Sequence, residues 1–118
     1  MNDMDLLKLV VKAADDKRAN DIITLDMKGL STVADYFIIC DATSERQTQA
    51  IAREIIDQAE KHEIEVKRSE GFEQAKWILI DLGDIVCHVF RQEDRQYYNL
   101  ERLWGDAPLL EITLDEEV

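Results

Sequence analysis

The sequence contains few of the residues that interrupt or cross-link a chain. Its 118 residues include one proline, Pro108, four glycines and two cysteines. So little proline and glycine leaves little room for long disordered segments, and no apolar run is long enough to span a membrane. No repeats or linkers are visible. The chain is therefore predicted to form one domain, with a hydrophobic content of 46% that suffices for a core.

Basic residues are outnumbered by acidic ones. The chain has 26 Asp and Glu against 14 Lys and Arg, a formal charge of −12. Because a phosphate backbone would repel such a chain, we expect little direct nucleic-acid binding. The charge favours a basic protein partner, although excess acid also simply keeps proteins soluble. The start, MNDMDLLKLV, lacks the basic leader of a secreted protein, so we expect a cytoplasmic protein.

Motifs for metal binding and catalysis are missing from the sequence. Cys40 and Cys87 lie in apolar runs, where reduced thiols behave as small hydrophobes. Together with His62 and His88 they lack the ligand spacing of a metal site. The chain has no P-loop, dinucleotide-binding fingerprint, nucleophile elbow or H-E-x-x-H. We therefore predict no cofactor, no metal and no catalytic residues.

Apolar periodicity predicts alternating helices and strands. Three segments have helical spacing: 4–18, 44–62 and 91–104. Three β-like runs and one hairpin lie between them: 21–27, 36–40, 64–67 and 77–90. This order predicts an α/β or α+β domain with a single mixed β-sheet of about five strands and helices packed on it.

Local signals refine these segments. Ser44 followed three residues later by Gln47 forms a capping box at the start of the second helix. The third helix is expected to pack one side against the sheet: Tyr97, Leu100, Leu103 and Trp104. Tyr98 and Glu101 lie off this stripe and remain free to meet a partner. Residues 108–118 form an acidic tail that we expect to be mobile.

The segment WILIDLGDIVCHVF, residues 77–90, is the most informative stretch. With a two-residue turn at 82–83, Trp77 would lie opposite His88, and alternate side chains would point to opposite faces. One face is purely apolar: Ile78, Ile80, Ile85, Cys87 and Val89. The other is mixed: Trp77, Leu79, Asp81, Asp84, Val86, His88 and Phe90. Ionisable groups on the mixed face indicate that it is covered only partly or by another molecule.

Residues of the mixed face have alternative roles. Trp77 is either core or a binding anchor, because Trp dominates interface hot spots. His88 could be a ligand, a base or a pH-sensitive contact, but we favour a half-buried packing residue with one satisfied nitrogen. Asp81 and Asp84 could hold a divalent metal, although acids are common at turns.

Three blocks occur in order along the chain: DYFIICDATSERQ (35–47), WILIDLGDIVCHVF (77–90) and RQYYNLERLWGDA (95–107). They resemble segments of the ribosomal silencing factor family, also called Iojap-like proteins. With the first helix, the resemblance covers residues 4–107, so we expect one such domain over 1–107. Ala42 stands where a glycine is frequent and Cys87 where an aliphatic residue is usual, and both are compatible with their strands.

The resemblance implies a translation repressor rather than an enzyme. Such a protein binds the large ribosomal subunit through its protein fourteen and sterically blocks association with the small subunit when nutrients are scarce or in stationary phase. It also implies a topology similar to nucleotidyltransferases without their catalytic motif. With the mixed face, it gives these expected contact residues: Trp77, Asp81, Leu82, Asp84 and His88, with Arg95, Tyr98 and Glu101 at the edge.

Other functions remain open from the sequence. A degenerate nucleotidyltransferase would use Asp81 and Asp84 to hold a divalent metal. A large-subunit assembly factor would share the ribosomal partner but act earlier. A homodimer could cover the mixed face with a second copy, since exposed apolar surface often marks a protein contact.

Overall fold

The computed structural model describes residues 1–114. Within this range the helices are α1 (Asp3–Asp16), α2 (Glu45–Lys61), α3 (Gln92–Tyr98) and α4 (Leu100–Leu103). The strands are β1 (Asn20–Asp26), β2 (Tyr36–Ala42), β3 (Arg68–Glu70), β4 (Trp77–Asp81) and β5 (Ile85–Arg91). They form one sheet in the order β1-β2-β5-β4-β3, with β2 and β5 parallel and the other neighbours antiparallel. The predicted mixed five-stranded α+β sheet is confirmed.

The start of α2 is fixed by local hydrogen bonds. Oγ of Ser44 accepts a bond from the backbone N–H of Gln47 at 3.1 Å, which satisfies an N–H that has no partner within the helix. The Gln47 amide instead donates to the carbonyls of Lys17 and Arg18 at 3.3 and 3.0 Å. The capping box is therefore half formed, and Gln47 ties the start of α2 to the end of α1.

None of the helices described here has both the length and the apolar composition that a membrane crossing needs.

The sheet has two unlike faces. The first face, covered by α1 and α2, buries a mostly aliphatic core that includes Leu7, Val10, Ile38, Ile51, Ile55, Ile78, Ile80, Cys87 and Val89. The second face meets α3, α4 and the 27–34 loop, and its core is rich in aromatics: Phe37, Phe90, Trp77 and Trp104. The hairpin side chains divide between the faces as the alternation predicts.

Both cysteines lie in the first-face core as free thiols. Burial raises the pKa of Cys40 to about 12 and raises that of Cys87 as well. A thiol that stays protonated is a poor nucleophile and a poor metal ligand. The prediction of structural thiols agrees with this placement.

The pairing register of the hairpin differs from the prediction. Trp77 lies opposite Phe90 rather than His88. The N–H of Leu82 donates to the carbonyl of Ile85 at 2.9 Å, so the turn is centred on residues 83–84 instead of 82–83. The register moved by two residues, an even number, so the apolar side chains of the hairpin kept their predicted faces.

The predicted third helix is divided into two. Asn99 adopts a left-handed conformation, φ 46°, between α3 and α4, which Asn tolerates better than most residues. This break leaves Tyr97 and Leu103 exposed to solvent at 80% and 70%. Leu100 is buried and Trp104 half-buried. The predicted packing stripe is therefore wrong for its two exposed members.

The C-terminal segment, residues 108–114, lies along β1. The carbonyl of Pro108 accepts from the N–H of Asp26 at 2.9 Å, and the N–H of Leu110 donates to the carbonyl of Thr24 at 2.8 Å. Three side chains pack against the first-face core: Leu110, Ile112 and Leu114. This part of the tail is docked on the sheet rather than mobile, and the expectation for the last four residues lies outside the described part.

Candidate protein-binding surface

Trp77 and His88 form the centre of the second face. Nε1 of Trp77 donates to Nδ1 of His88 at 3.1 Å, so the neutral imidazole carries its proton on Nε2. His88 is only 4% exposed, and this burial lowers its pKa to about 4. The expected single satisfied nitrogen is found, but the ring is fully rather than half buried. His88 therefore orients the indole, and a direct contact of this ring with a partner stays a prediction.

Trp77 is held among aromatic rings. Its ring lies 5.0 Å from Phe90, nearly parallel, and 4.8 Å from Tyr98. The indole is half-buried and Tyr98 is 47% exposed. The backbone carbonyl of Trp77 lies directly against Gly71, φ +82°, where a Cβ would have no room. The side chain is thus fixed at both its ring and its backbone before any partner arrives.

A groove of about 390 Å³ opens beside these rings. Sheet residues form its floor: Phe37, Leu79, Val86 and His88. Trp104, Arg68 and the loop of residues 30–33 form its walls. Leu30 and Val33 of that loop are 41% and 67% exposed. We call Trp77, Tyr98 and the residues lining this groove the aromatic surface, and contiguous apolar exposure of this kind is typical of a protein contact.

Asp81 and Asp84 lie at the hairpin turn but do not converge. Oδ1 of Asp81 accepts from the N–H of Gly83 at 2.9 Å, and its Oδ2 lies 3.7 Å from Nε of Arg68. Asp81 is therefore already engaged within the fold. Asp81 and Asp84 therefore do not form the paired metal site that the sequence had left open.

Asp84 belongs to a different acidic group, with Asp3 and Asp35. Their carboxylate oxygens all lie within 4.8 Å of one another. Partial burial, followed by the charges of Asp84 and Asp35, raises the pKa of Asp3. These three carboxylates could hold a cation, but exposed acidic groups of this kind are common without one. Sequence spacing could not bring α1, the start of β2 and the hairpin together.

Two predicted contact residues are turned into the fold. Leu82 is buried in the first-face core. Arg95, expected at the edge of the surface, is also buried, with Nη1 2.8 Å from Oδ2 of Asp41 and Nε 3.2 Å from Oε2 of Glu101. Its expected edge position is wrong, because the guanidinium neutralises a buried carboxylate. Glu101 is half-buried and shares that ion pair. A role of these residues in binding stays a prediction, and for the buried ones it would be indirect.

Sequence reasoning missed the loop that walls the groove. Residues 28–35 were left without a role between the predicted strands 21–27 and 36–40, yet Leu30 and Val33 project apolar side chains beside the sheet. Apolar residues between two predicted strands were the available signal. Trp104 was assigned to helix packing, and it both packs on Phe37, with ring centroids 6.1 Å apart, and lines the groove.

Fold and surface together define an α+β protein with one closed sheet face and one partly open aromatic face. Over residues 1–118 the chain matches the family model described as "Ribosomal silencing factor during starvation". It is 59% identical over 112 residues to ribosomal silencing factor RsfS of Bacillus subtilis, covering 95% of both chains. The chain belongs to the ribosomal silencing factor family.

More distant relatives and solved structures agree with this placement. The chain is 34% identical over 108 residues to the chloroplastic protein Iojap of Zea mays, covering 92% of this chain and 47% of that protein. A crystal structure from Bacillus halodurans superposes with a TM-score of 0.82 at 53% identity, covering 91% of this chain and 97% of that one. One from Chromobacterium violaceum gives 0.87 at 31% identity, covering 98% and 95%.

Proposed function

We propose that this protein represses translation by occupying the large ribosomal subunit at its protein fourteen and blocking association with the small subunit, lowering translation in nutrient limitation or stationary phase. Membership of a family named for ribosomal silencing supports the ribosomal partner. The aromatic surface is the observation that carries the proposal, because its rings are already ordered within the fold and remain partly exposed. Such a repressor acts by occupancy and needs neither cofactor nor turnover.

Charge supports a basic protein partner. The formal charge of −12 disfavours direct contact with phosphate backbones. It favours approach to a basic protein surface. Exposed Asp84 on the hairpin turn could meet Lys or Arg of the partner, whereas Asp81 is already bonded to Gly83. Contact with a ribosomal protein, in the cytoplasm, fits this distribution better than contact with ribosomal RNA.

The anchor of the contact would be Trp77 with Tyr98. Their rings lie 4.8 Å apart, and the hydrogen bond to His88 holds the indole in one orientation. An aromatic side chain ordered before binding loses little conformational entropy on association. We place the binding unit within residues 1–107.

Co-sedimentation with isolated large subunits, small subunits and joined ribosomes at physiological salt tests the proposal. Wild-type protein should pellet selectively with large subunits. Trp77→Ala should weaken that binding by about 2 kcal/mol, or about 30-fold. Leu109→Ala is the matched control, since Leu109 is a 71% exposed apolar residue on the C-terminal segment. Equal binding of wild type and a folded Trp77→Ala variant would show that the aromatic surface is not the contact.

A homodimer through the aromatic surface would compete with the ribosome for the same residues. Sedimentation velocity over a wide concentration range measures this directly. If dimers form and Trp77→Ala abolishes them, ribosome occupancy should rise less steeply with protein concentration than it would for a protein that stays monomeric. Dimers that survive the substitution use another surface and leave ribosome binding unaffected.

A further inference from the structure

A second cleft, of about 530 Å³, opens where the parallel strands β2 and β5 end. Asp41 lies one residue before the end of β2, and Gln92 follows β5 directly. The carboxyl ends of parallel strands are where α/β sheets commonly bind ligands. The cleft shares no lining residue with the groove of the aromatic surface. It therefore has to be considered as a site of its own.

The floor of this cleft is a buried ion-pair network. Nη1 of Arg95 donates to Oδ2 of Asp41 at 2.8 Å and to the carbonyl of Asp21, also at 2.8 Å. Nε of Arg95 donates to Oε2 of Glu101 at 3.2 Å. Each of the two carboxylates therefore uses one oxygen on the guanidinium, and the network joins β1, β2, α3 and α4.

The second oxygen of each carboxylate remains unsatisfied. Oδ1 of Asp41 and Oε1 of Glu101 are buried and accept no hydrogen bond from the described residues. Asp41 as a whole is only 3% exposed. Buried acceptors almost always have a donor, and leaving a carboxylate oxygen without one is unfavourable. Both residues line the cleft, so a bound group with N–H donors would complete them.

The charges of the cleft select the chemistry of that group. Three acids, Asp21, Asp41 and Glu101, face Arg95, the single basic residue among the described residues that line it. Side-chain amides complete the polar rim: Gln92, Gln96 and Asn99. An excess of negative charge with acceptors on several sides favours a cation with multiple donors, as a guanidinium or primary ammonium group provides. We propose that this cleft binds a small ligand that carries such a group.

Titration of the full-length, ¹⁵N-labelled protein with ethylguanidinium and with ethylammonium tests the proposal by NMR. At least one probe should shift the backbone amides of Asp21, Gln96 and Asn99 saturably. Ethylurea, a neutral isostere of ethylguanidinium, should bind at least fivefold more weakly, and acetate should cause no saturable shift. Equal binding of ethylurea, or binding of acetate in place of the cations, would overturn the proposed ligand class.

Variants separate the cleft from general attraction to an acidic surface. Asp21→Asn removes a rim charge without touching the side-chain ion pair, because Arg95 contacts only the Asp21 carbonyl. Glu101→Gln removes a second charge at the floor. Each should weaken binding of the cation at least twofold, whereas Asp57→Asn, an exposed acid on α2, should not change it. Equal weakening by all three variants, or no saturable binding by wild type, would show an adventitious effect of net charge and overturn the site.

Discussion

The two faces of the sheet are built from the same strands but differ in how completely they are covered. On the first face α1 and α2 cover aliphatic side chains almost completely. On the second face two short helices and a loop leave aromatic rings and a groove partly open. Since β4 and β5 contribute alternate residues to both faces, adjacent positions such as Leu79 and Ile80 belong to different environments. The closed face supplies stability, and the partly open face has surface left for a contact.

The largest effect should come from truncating the closed face. Ile80 is completely buried, so Ile80→Ala should lower the free energy of unfolding by about 4 kcal/mol through lost burial and a cavity. Leu79→Ala, one residue away on the half-buried side, should cost only about 1 kcal/mol. Urea unfolding measures both. Similar losses of stability for the two variants would contradict the distinction between the faces. If the aromatic surface contacts the ribosome, Leu79→Ala should also weaken binding to large subunits.

The second-largest effect should be a pH dependence of the free energy of unfolding, caused by His88 on the aromatic face. Burial lowers the pKa of His88 from 6.5 to about 4, so the unfolded chain takes up a proton at a higher pH than the folded one. The contribution of His88 to the free energy of unfolding is therefore fully present above pH 6.5. It is lost as the pH falls from 6.5 to about 4, which lowers the free energy of unfolding by about 3 kcal/mol. Unfolding free energies measured across this window should show the slope.

His88→Gln should reduce that slope, because Gln has no proton to gain. His62→Gln is the matched control, since His62 is the exposed C-cap of α2. A slope that persists unchanged in His88→Gln would assign the pH dependence to carboxylates instead. Loss of ribosome binding in His88→Gln at neutral pH would indicate that the imidazole ring is needed to orient the anchor.

The smallest effect should come from the C-terminal segment. Leu110 packs against the first-face core, so Leu110→Lys should cost about 1 kcal/mol and loosen the segment. Leu109→Lys places the same charge on an exposed neighbour and should be neutral. Hydrogen exchange at the Asp26 amide, which donates to Pro108, reports the docking. Unchanged exchange in Leu110→Lys would mean that the backbone bonds hold the segment without its side chains.

Sequence periodicity predicted the two faces but not how each is covered. The face of each apolar hairpin residue follows from an alternation of two, which survives a register error of two. The break at Asn99 depends on a single left-handed residue inside a helical pattern. The wall at residues 30–33 and the docking of the C-terminal segment depend on contacts between distant parts of the chain.

The candidate sites show the same limit. Trp77 and Tyr98 were found from residue type and position, and they do lie together. Arg95 was expected at the edge of the contact surface, whereas it is buried against Asp41, which lies 54 residues away in sequence. Local pattern carries no information on such a pairing. Burial of ionisable residues was therefore the property that sequence reasoning judged least well.

Both edges of the sheet are protected against strand addition, each in a different way. At one edge the C-terminal segment bonds to Thr24 and Asp26 and occupies backbone groups that another chain could otherwise pair with. At the other edge β3 has only three residues, all exposed, including the charged Arg68 and Glu70. Edge-to-edge polymerisation is thereby discouraged at the two places where a sheet is most vulnerable. The sheet can therefore keep one face partly open with little risk of aggregation through its edges.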